Sequence, residues 1–564
     1  MPGSILTPIS LWKDFDASLP TDAQTLSERT EEGLIFRKVR FSGRQTEKGR
    51  VRIYAALVRP ETEEPLPALL LLTKADSPID LPLAVRFAKR GYCVLCMDYR
   101  GKTEETGEEY TVYPEDIPYA DYARAGRTLL HADGGAVKTA WYEWTAAAVY
   151  AVRYLRTLSY VSSVGGMGVR EGGEILWKLM TIEKLSGGIC VDAAGWLAYR
   201  GIPKFGEEKT AELDEERRMF VAGIESQSYA PFVQCPVLML IAAGDPFVDA
   251  DRAYDTFVRV NKEYFSTIDY SVACGGGIDR RAVRDVDMFM DKFFKEREIF
   301  LAHPLGITFS SEEGKLCASI SSDTQGEIAS QTVYYSEDNI PAGYREWNRG
   351  EKETLAGGRE VFSMSLCSRS DTVFAFARAE YSNGFCVSSR IAAKKTDKET
   401  VRSVAQSRLL YDSRVMKGDF FVPAEGGENA TAAFSDEAAA DTPFCAVGYG
   451  GIEGIACRRG LKTYRVGHKR YLPDPRALLH LSVYGKEDFE LTVSVKKRRD
   501  TGEEVRYTHT VFVAGGGKWK NLVLPARDFK SEVGATMDSF VGGESLSFTE
   551  REEKLFLLNN VLWI

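Results

Sequence analysis

The chain has 564 residues, 44% of them hydrophobic and 27% charged, a length that exceeds one core and predicts roughly two to four domains. Its 72 basic and 81 acidic side chains leave a net charge of −9 spread along the chain, which argues against a nucleic-acid partner. Ten cysteines without a metal-like grouping predict a reducing, cytoplasmic setting with no metal or cofactor, and no apolar run reaches the roughly 18 residues that a membrane span needs.

In chain order, LIFRKVRFSG and VRIYAALVRP, within residues 34–58, alternate apolar and polar side chains and predict two antiparallel strands. After Pro65 and Pro67, ALLLLT is apolar throughout, as a central parallel strand covered on both faces must be. It ends in Thr73-Lys74-Ala75-Asp76. A helix is predicted over 83–90 and a strand over 92–97, closing on Asp98-Tyr99-Arg100-Gly101. Cys93 and Cys96 form a C-x-x-C inside that strand, where the apolar setting points to packing rather than redox chemistry. A polar excursion over 102–138 precedes a long helix from Trp141 through Arg156.

Residues 161–179, VSSVGGMGVREGGEILWKL, then climb through an apolar run to a glycine cluster, pass Arg170-Glu171 and enter a helical pattern at Ile175, Leu176 and Leu179. This is a strand, a tight turn and a helix. Further strands are predicted over 187–192, 236–243 and 266–272, with a charged, cap-like segment over 197–229 and helices over 251–261 and 281–298. Gly244-Asp245-Pro246-Phe247-Val248-Asp249 follows the second of these strands, and Cys274-Gly275-Gly276-Gly277-Ile278-Asp279 the third. The alternation predicts a doubly wound α/β domain with a parallel sheet.

The stretch Gly168-Val169-Arg170-Glu171-Gly172-Gly173 resembles the G-x-S-E-G-G nucleophile elbow of the acyl-peptidase, cocaine-esterase and acetyl-esterase branch of the α/β-hydrolases. The Asp98-Tyr99-Arg100-Gly101 turn is similar to one found at the same point in many of them, and the resemblance covers roughly the first 300 residues. It implies an α/β-hydrolase fold with the nucleophilic serine at the position of Arg170. It places the triad acid at Asp245, with Asp249 the alternative, and the catalytic histidine on the glycine loop at Gly276 or a neighbour. It also implies an oxyanion region at Thr73, Lys74 and Glu171, although Thr73 to Asp76 contains no glycine to allow close approach. An arginine keeps its proton and is no nucleophile. Of the five histidines, His131 alone falls in the α/β region, where a surface loop is expected; His303, His468, His480 and His509 lie beyond it. The triad therefore reads as incomplete, with Asp245 retained. A cation at a helix N-terminus is disfavoured, so Arg170 is expected to pair with Asp245 or Asp249, while Glu171 projects elsewhere from the sharp turn.

From about residue 305 the pattern becomes short β runs with turns between them. Residues 301–397 predict a small β-sandwich and 398–564 a second one, whose closing strands look like galactose-binding-like jelly rolls of carbohydrate-binding modules. Trp347, Tyr449 and Trp519 are expected in cores rather than as sugar platforms. Three functions fit: a catalytically degenerate hydrolase-like protein that binds a saccharide or acylated small molecule, a carboxylic-ester hydrolase with a rebuilt site, and an assembly protein.

Overall fold

The structure, a computed structural model, describes residues 6–77, 79–103, 107, 109–205, 213–245, 248–272, 278–323, 325–338, 342–397, 399–414, 416, 421–424, 432–434, 443–498, 504–552 and 554–564. Gly276 lies outside them.

The first unit is built on a nine-stranded sheet. Its strands are β1 (Gln24–Glu31), β2 (Leu34–Thr46), β3 (Gly49–Pro60), β4 (Leu66–Leu72), β5 (Cys93–Met97), β6 (Val161–Val169), β7 (Gly188–Val191), β8 (Val237–Ala242) and β9 (Ser266–Ser271), in the order β1-β2-β3-β5-β4-β6-β7-β8-β9. β1, β2 and β3 form an antiparallel meander joined to β5, and the strands from β5 to β9 are parallel. The sequence pattern misses β1 because QTLSERTE contains one large apolar residue and is exposed along almost its whole length. Its pairing with β2 supplies the structure that periodicity does not signal.

Helices accompany the strands: α1 (Pro8–Trp12), α2 (Leu81–Lys89), α3 (Tyr122–Ala125), α4 (Ala140–Thr157), α5 (Glu171–Ile182), α6 (Glu215–Gly223), α7 (Ser226–Tyr229), α8 (Ala250–Phe257) and α9 (Arg280–Phe293). The run LPALLLL of β4 is buried at every position because both of its faces are covered. Leu70 and Leu72 join one core with Trp144 of α4, Leu176 of α5 and Ala253 of α8, whereas Leu69 and Leu71 join the other with Phe87 of α2 and Phe289 of α9. This is a doubly wound sheet with the period-two alternation of a strand. The same alternation sends Cys93 and Cys96 to opposite faces, and burial raises both thiols, Cys93 to about 12. Neither is poised for redox chemistry.

Beyond residue 300 the described chain is β-rich. Strands between Gly306 and Lys395 form a four-stranded and a five-stranded sheet, and those between Leu409 and Trp563 form two six-stranded sheets. Leu481, Leu491, Val493, Phe548 and Leu558 belong to a core of the last pair of sheets. The sheets of 306–395 instead merge with the first unit: Tyr334, Phe374 and Phe376 join the core that contains α4 and α5, and Val333 and Val373 join the one that contains α2 and α9.

Candidate functional site

The turn between β6 and α5 is the centre of the site. Arg170 occupies its tip at φ +49 and ψ −116, a strained backbone for any residue with a Cβ. The backbone holds it on both sides: Arg170 N–H donates to Val191 O at 2.8 Å, and Arg170 O accepts from Glu174 N–H at 2.9 Å. The neighbouring glycines are required by close approach. A Cβ on Gly168 would lie 2.4 Å from Gly172 O, one on Gly172 would lie 2.2 Å from Leu72 O, and one on Gly173 would lie 2.4 Å from the Ala193 Cβ. The elbow backbone is thus retained in full with a guanidinium where the resemblance places a hydroxyl.

That guanidinium finds an anion, as the helix dipole requires. Arg170 Nη2 lies 2.7 Å from Asp245 Oδ2, with Asp245 fully buried and the arginine side chain 10% exposed. Asp249 does not share the role. It caps α8 by accepting from Arg252 N–H at 3.1 Å and pairs with the Arg252 guanidinium.

Glu171 turns away from Arg170 and toward the end of β4. One carboxylate oxygen accepts from Ala75 N–H at 3.1 Å. Burial raises its pKa, against the lowering effect of this hydrogen bond and of Arg170. In the hydrolase pattern the two backbone donors of the oxyanion hole come from the residue after the nucleophile and from this same loop. Here Ala75 N–H, from the stretch Thr73 to Asp76, serves the Glu171 side chain. Thr73 is buried with its carbonyl accepting from Tyr99 Oη at 2.6 Å, and Lys74 pairs with Asp76 at 3.2 Å. Gly172 supplies close approach between the two segments from the side of α5.

A cavity of about 540 Å³ opens over Arg170 and Glu171, bounded on one side by Lys74, Tyr122 and His131 and on the other by Leu197 and Arg200 of the cap-like segment. His131 is brought to Asp133 and Glu216, so the histidines are less isolated than their spacing suggests. The Arg127 guanidinium contacts all three, with Nε 3.2 Å from Asp133 Oδ1 and Nη2 3.4 Å from His131 Nδ1, and pairs with both carboxylates.

Sequence reasoning missed a buried polar group beneath the cavity. Glu174 accepts from Gly195 N–H at 2.8 Å and from the Ser226 hydroxyl. Lys178, one turn on, donates to Glu174 O at 2.8 Å between the rings of Trp141 and Tyr229, and burial pulls its amine down to about 8. Glu225 accepts from Ala198 N–H at 2.6 Å and is pushed up by burial to about 7. The signal was present in Glu174-Ile175-Leu176-Trp177-Lys178: an acid and a base at i and i+4 inside an otherwise apolar helix. Of the three aromatics singled out, Trp347 packs on Phe376 with its indole N–H toward Ala243 O, while Trp519 is half-buried and donates to the carbonyl of exposed Tyr449 at 3.1 Å.

The strand order, the strained turn after β6 and the acid at the end of β8 belong to a doubly wound α/β fold over the first unit. No protein-family model and no curated protein matches the chain. Among solved structures it is similar to acetyl xylan esterase 1 from Thermoanaerobacterium sp. JW/SL YS485, at 17% identity and TM-score 0.36 over 48% of this chain and 88% of that one. It is also similar to an acetyl xylan esterase from Paenibacillus sp. R4, at 12% identity and TM-score 0.37 over 52% and 92% of the two chains. A third, the Pyrococcus horikoshii acylaminoacyl peptidase, has 12% identity and TM-score 0.34 over 50% and 51%.

Proposed function

We propose that this chain uses a hydrolase scaffold to bind a small polar ligand, such as an acylated saccharide, without performing serine-type acyl transfer. The observation that supports this most directly is the Arg170–Asp245 ion pair, which engages the acid position with a guanidinium in place of a histidine and leaves no hydroxyl at the elbow. The Glu171 carboxylate on Ala75 N–H supports it further, because an oxyanion would have to compete with an anion already there. The cavity has the size of a small-molecule site. The two β-rich units downstream are assigned no role in this reading beyond holding the first.

A second reading, a carboxylic-ester hydrolase with a rebuilt site, is favoured by one feature: Glu171, whose pKa is raised by burial, and His131 line the same cavity, as a general acid–base pair for direct attack by water would. One experiment separates the two. Purified protein is assayed against p-nitrophenyl acetate and screened by thermal shift against acetylated xylose and xylobiose. Binding without turnover above the buffer rate is expected. Saturable turnover that Glu171→Gln abolishes would replace the first reading with the second.

A further inference from the structure

We propose that Glu171 is a tethered plug, and that the ligand which displaces it is the carboxylate of a small, largely apolar acid. This rests on the reading of the cavity as a binding site and narrows its ligand class. The cradle combines two chain segments, Ala75 N–H from the loop after β4, which donates to the Glu171 carboxylate at 3.1 Å, and the N-terminal turn of α5, brought together where Gly172 meets the backbone of Leu72. What they hold is a planar carboxylate, and the 540 Å³ cavity opens directly over it. A second carboxylate is the chemical equivalent of the first.

The walls set the rest of the ligand. Leu129, Leu130, Trp141, Leu197 and Val248 line the cavity and offer an apolar surface, while Lys74 stands at the cradle. A phosphate dianion meets acids as well as cations here: Arg170 is held by Asp245, Lys74 by Asp76 and Arg127 by Glu216 and Asp133, and beside Arg200 the lining carries Asp76, Glu174 and Asp192. An aryl or short alkyl carboxylate matches both halves of the site. Burial and the neighbouring Asp76 disfavour any carboxylate in the cradle alike, so exchange of one for another is close to even there and the apolar walls supply the net affinity of the ligand.

The test is calorimetric titration of the full chain with benzoate, with benzyl alcohol as its neutral counterpart and inorganic phosphate as the alternative anion. Glu171→Ala empties the cradle and is expected to tighten benzoate by about tenfold or more, the equivalent of about 1.4 kcal/mol, with benzyl alcohol changing by less than about twofold. If the alanine variant does not fold, Glu171→Gln preserves the volume, removes the charge, and is expected to tighten benzoate by about threefold. Unchanged or weaker benzoate binding overturns the proposal, as does equal tightening of benzyl alcohol, which marks mere enlargement of the cavity. Preference for phosphate over benzoate in the variant also overturns it. Binding of neutral acetylated sugars with no response to benzoate in any variant would sink this inference alone; turnover without stable binding would sink the underlying reading as well.

Discussion

Removing the charge of Asp245 tests the central ion pair most directly. Asp245→Asn keeps the shape of the side chain but leaves the Arg170 guanidinium, nine-tenths buried, without its carboxylate partner at 2.7 Å. Breaking a buried pair from one side costs about 3 to 5 kcal/mol, and the partial opening of Arg170 to the cavity favours the lower figure. The first unit and the sheets of 306–395 share their cores and form a cooperative body of roughly 400 residues. At about 2.1 cal/mol/K of unfolding entropy per residue, that body has about 0.8 kcal/mol/K, so a loss of about 3 kcal/mol lowers Tm by about 4 °C. The assay is differential scanning fluorimetry with urea titration as a second measure, and Asp14→Asn, at an exposed position, serves as the control. Arg170→Met with Asp245→Leu removes both charges and should recover most of the loss, because an apolar pair of similar volume needs no compensation. A variant Asp245→Asn that melts within about 1 °C of wild type, or a double variant no better than the single one, would refute the argument that the buried carboxylate holds Arg170 in place.

Three further outcomes are expected. A fluorophosphonate probe should leave the protein unlabelled, since Arg170 has no hydroxyl to phosphonylate; mass spectrometry that maps a stoichiometric label to any serine, Ser226 beneath the cavity included, would contradict this. Lys178→Met should change stability in a pH-dependent way. The folded amine sits at about 8 against an ordinary 10.5, so between these values the unfolded chain binds more protons and the stability of wild type rises with pH relative to the variant. The stabilising effect of the methionine is therefore largest below pH 8 and shrinks toward pH 10, as urea midpoints at several pH values will read; a constant difference would mean the amine is not depressed. Arg378→Met should cost about 3 kcal/mol, because the guanidinium binds Asp269 bidentately at 2.6 and 3.0 Å and Asp279 at 2.7 Å, and the methionine strands a fully buried carboxylate. Urea midpoints indistinguishable from wild type would count against it.

What the sequence made legible followed from local rules. The apolar run ALLLLT and the glycines around Arg170 each announce a backbone requirement within a few residues, and the structure meets both. The ion pair itself was legible because the dipole of α5 demands an anion beside Arg170, and one acid turn lies at the same rim of the sheet. Other features depended on partners far along the chain. Ala75 is an ordinary residue until Glu171, 96 positions later, accepts its N–H. His131 and Asp133 meet Glu216 only through the packing of α6, and β1 becomes a strand only because β2 offers it an edge. Asp269, Asp279 and Arg378 carry no local signal at all, since nothing in an isolated acid states which strand will bring its base.

Those long-range pairs tie the first 300 residues to the sheets that follow them. Arg345 binds Asp251 of α8 with both ends of its guanidinium, Trp347 directs its indole N–H to Ala243 O beside the acid turn, and Arg378 joins the end of β9 to the cap of α9. Ser388 adds a hydroxyl donor to Asp269 at 2.7 Å, and Phe376 stacks near the fully buried ring of Tyr270. Ala243, Asp251, Asp269 and Asp279, which flank the ends of β8 and β9, are thus held from outside the α/β unit. A chain ended at residue 300 loses every one of these partners at once, which leaves Asp251 and Asp269 without their arginines and uncovers the apolar surface that Phe374 and Phe376 protect. We expect that fragment to be insoluble or to lack a cooperative melting transition, whereas a chain ended at residue 397 retains one. Size-exclusion chromatography and calorimetry on the two fragments decide it: a monomeric 300-residue fragment that unfolds cooperatively at the wild-type temperature would show that the sheets of 306–395 are an appendage, and that the site's geometry is set by the α/β unit alone.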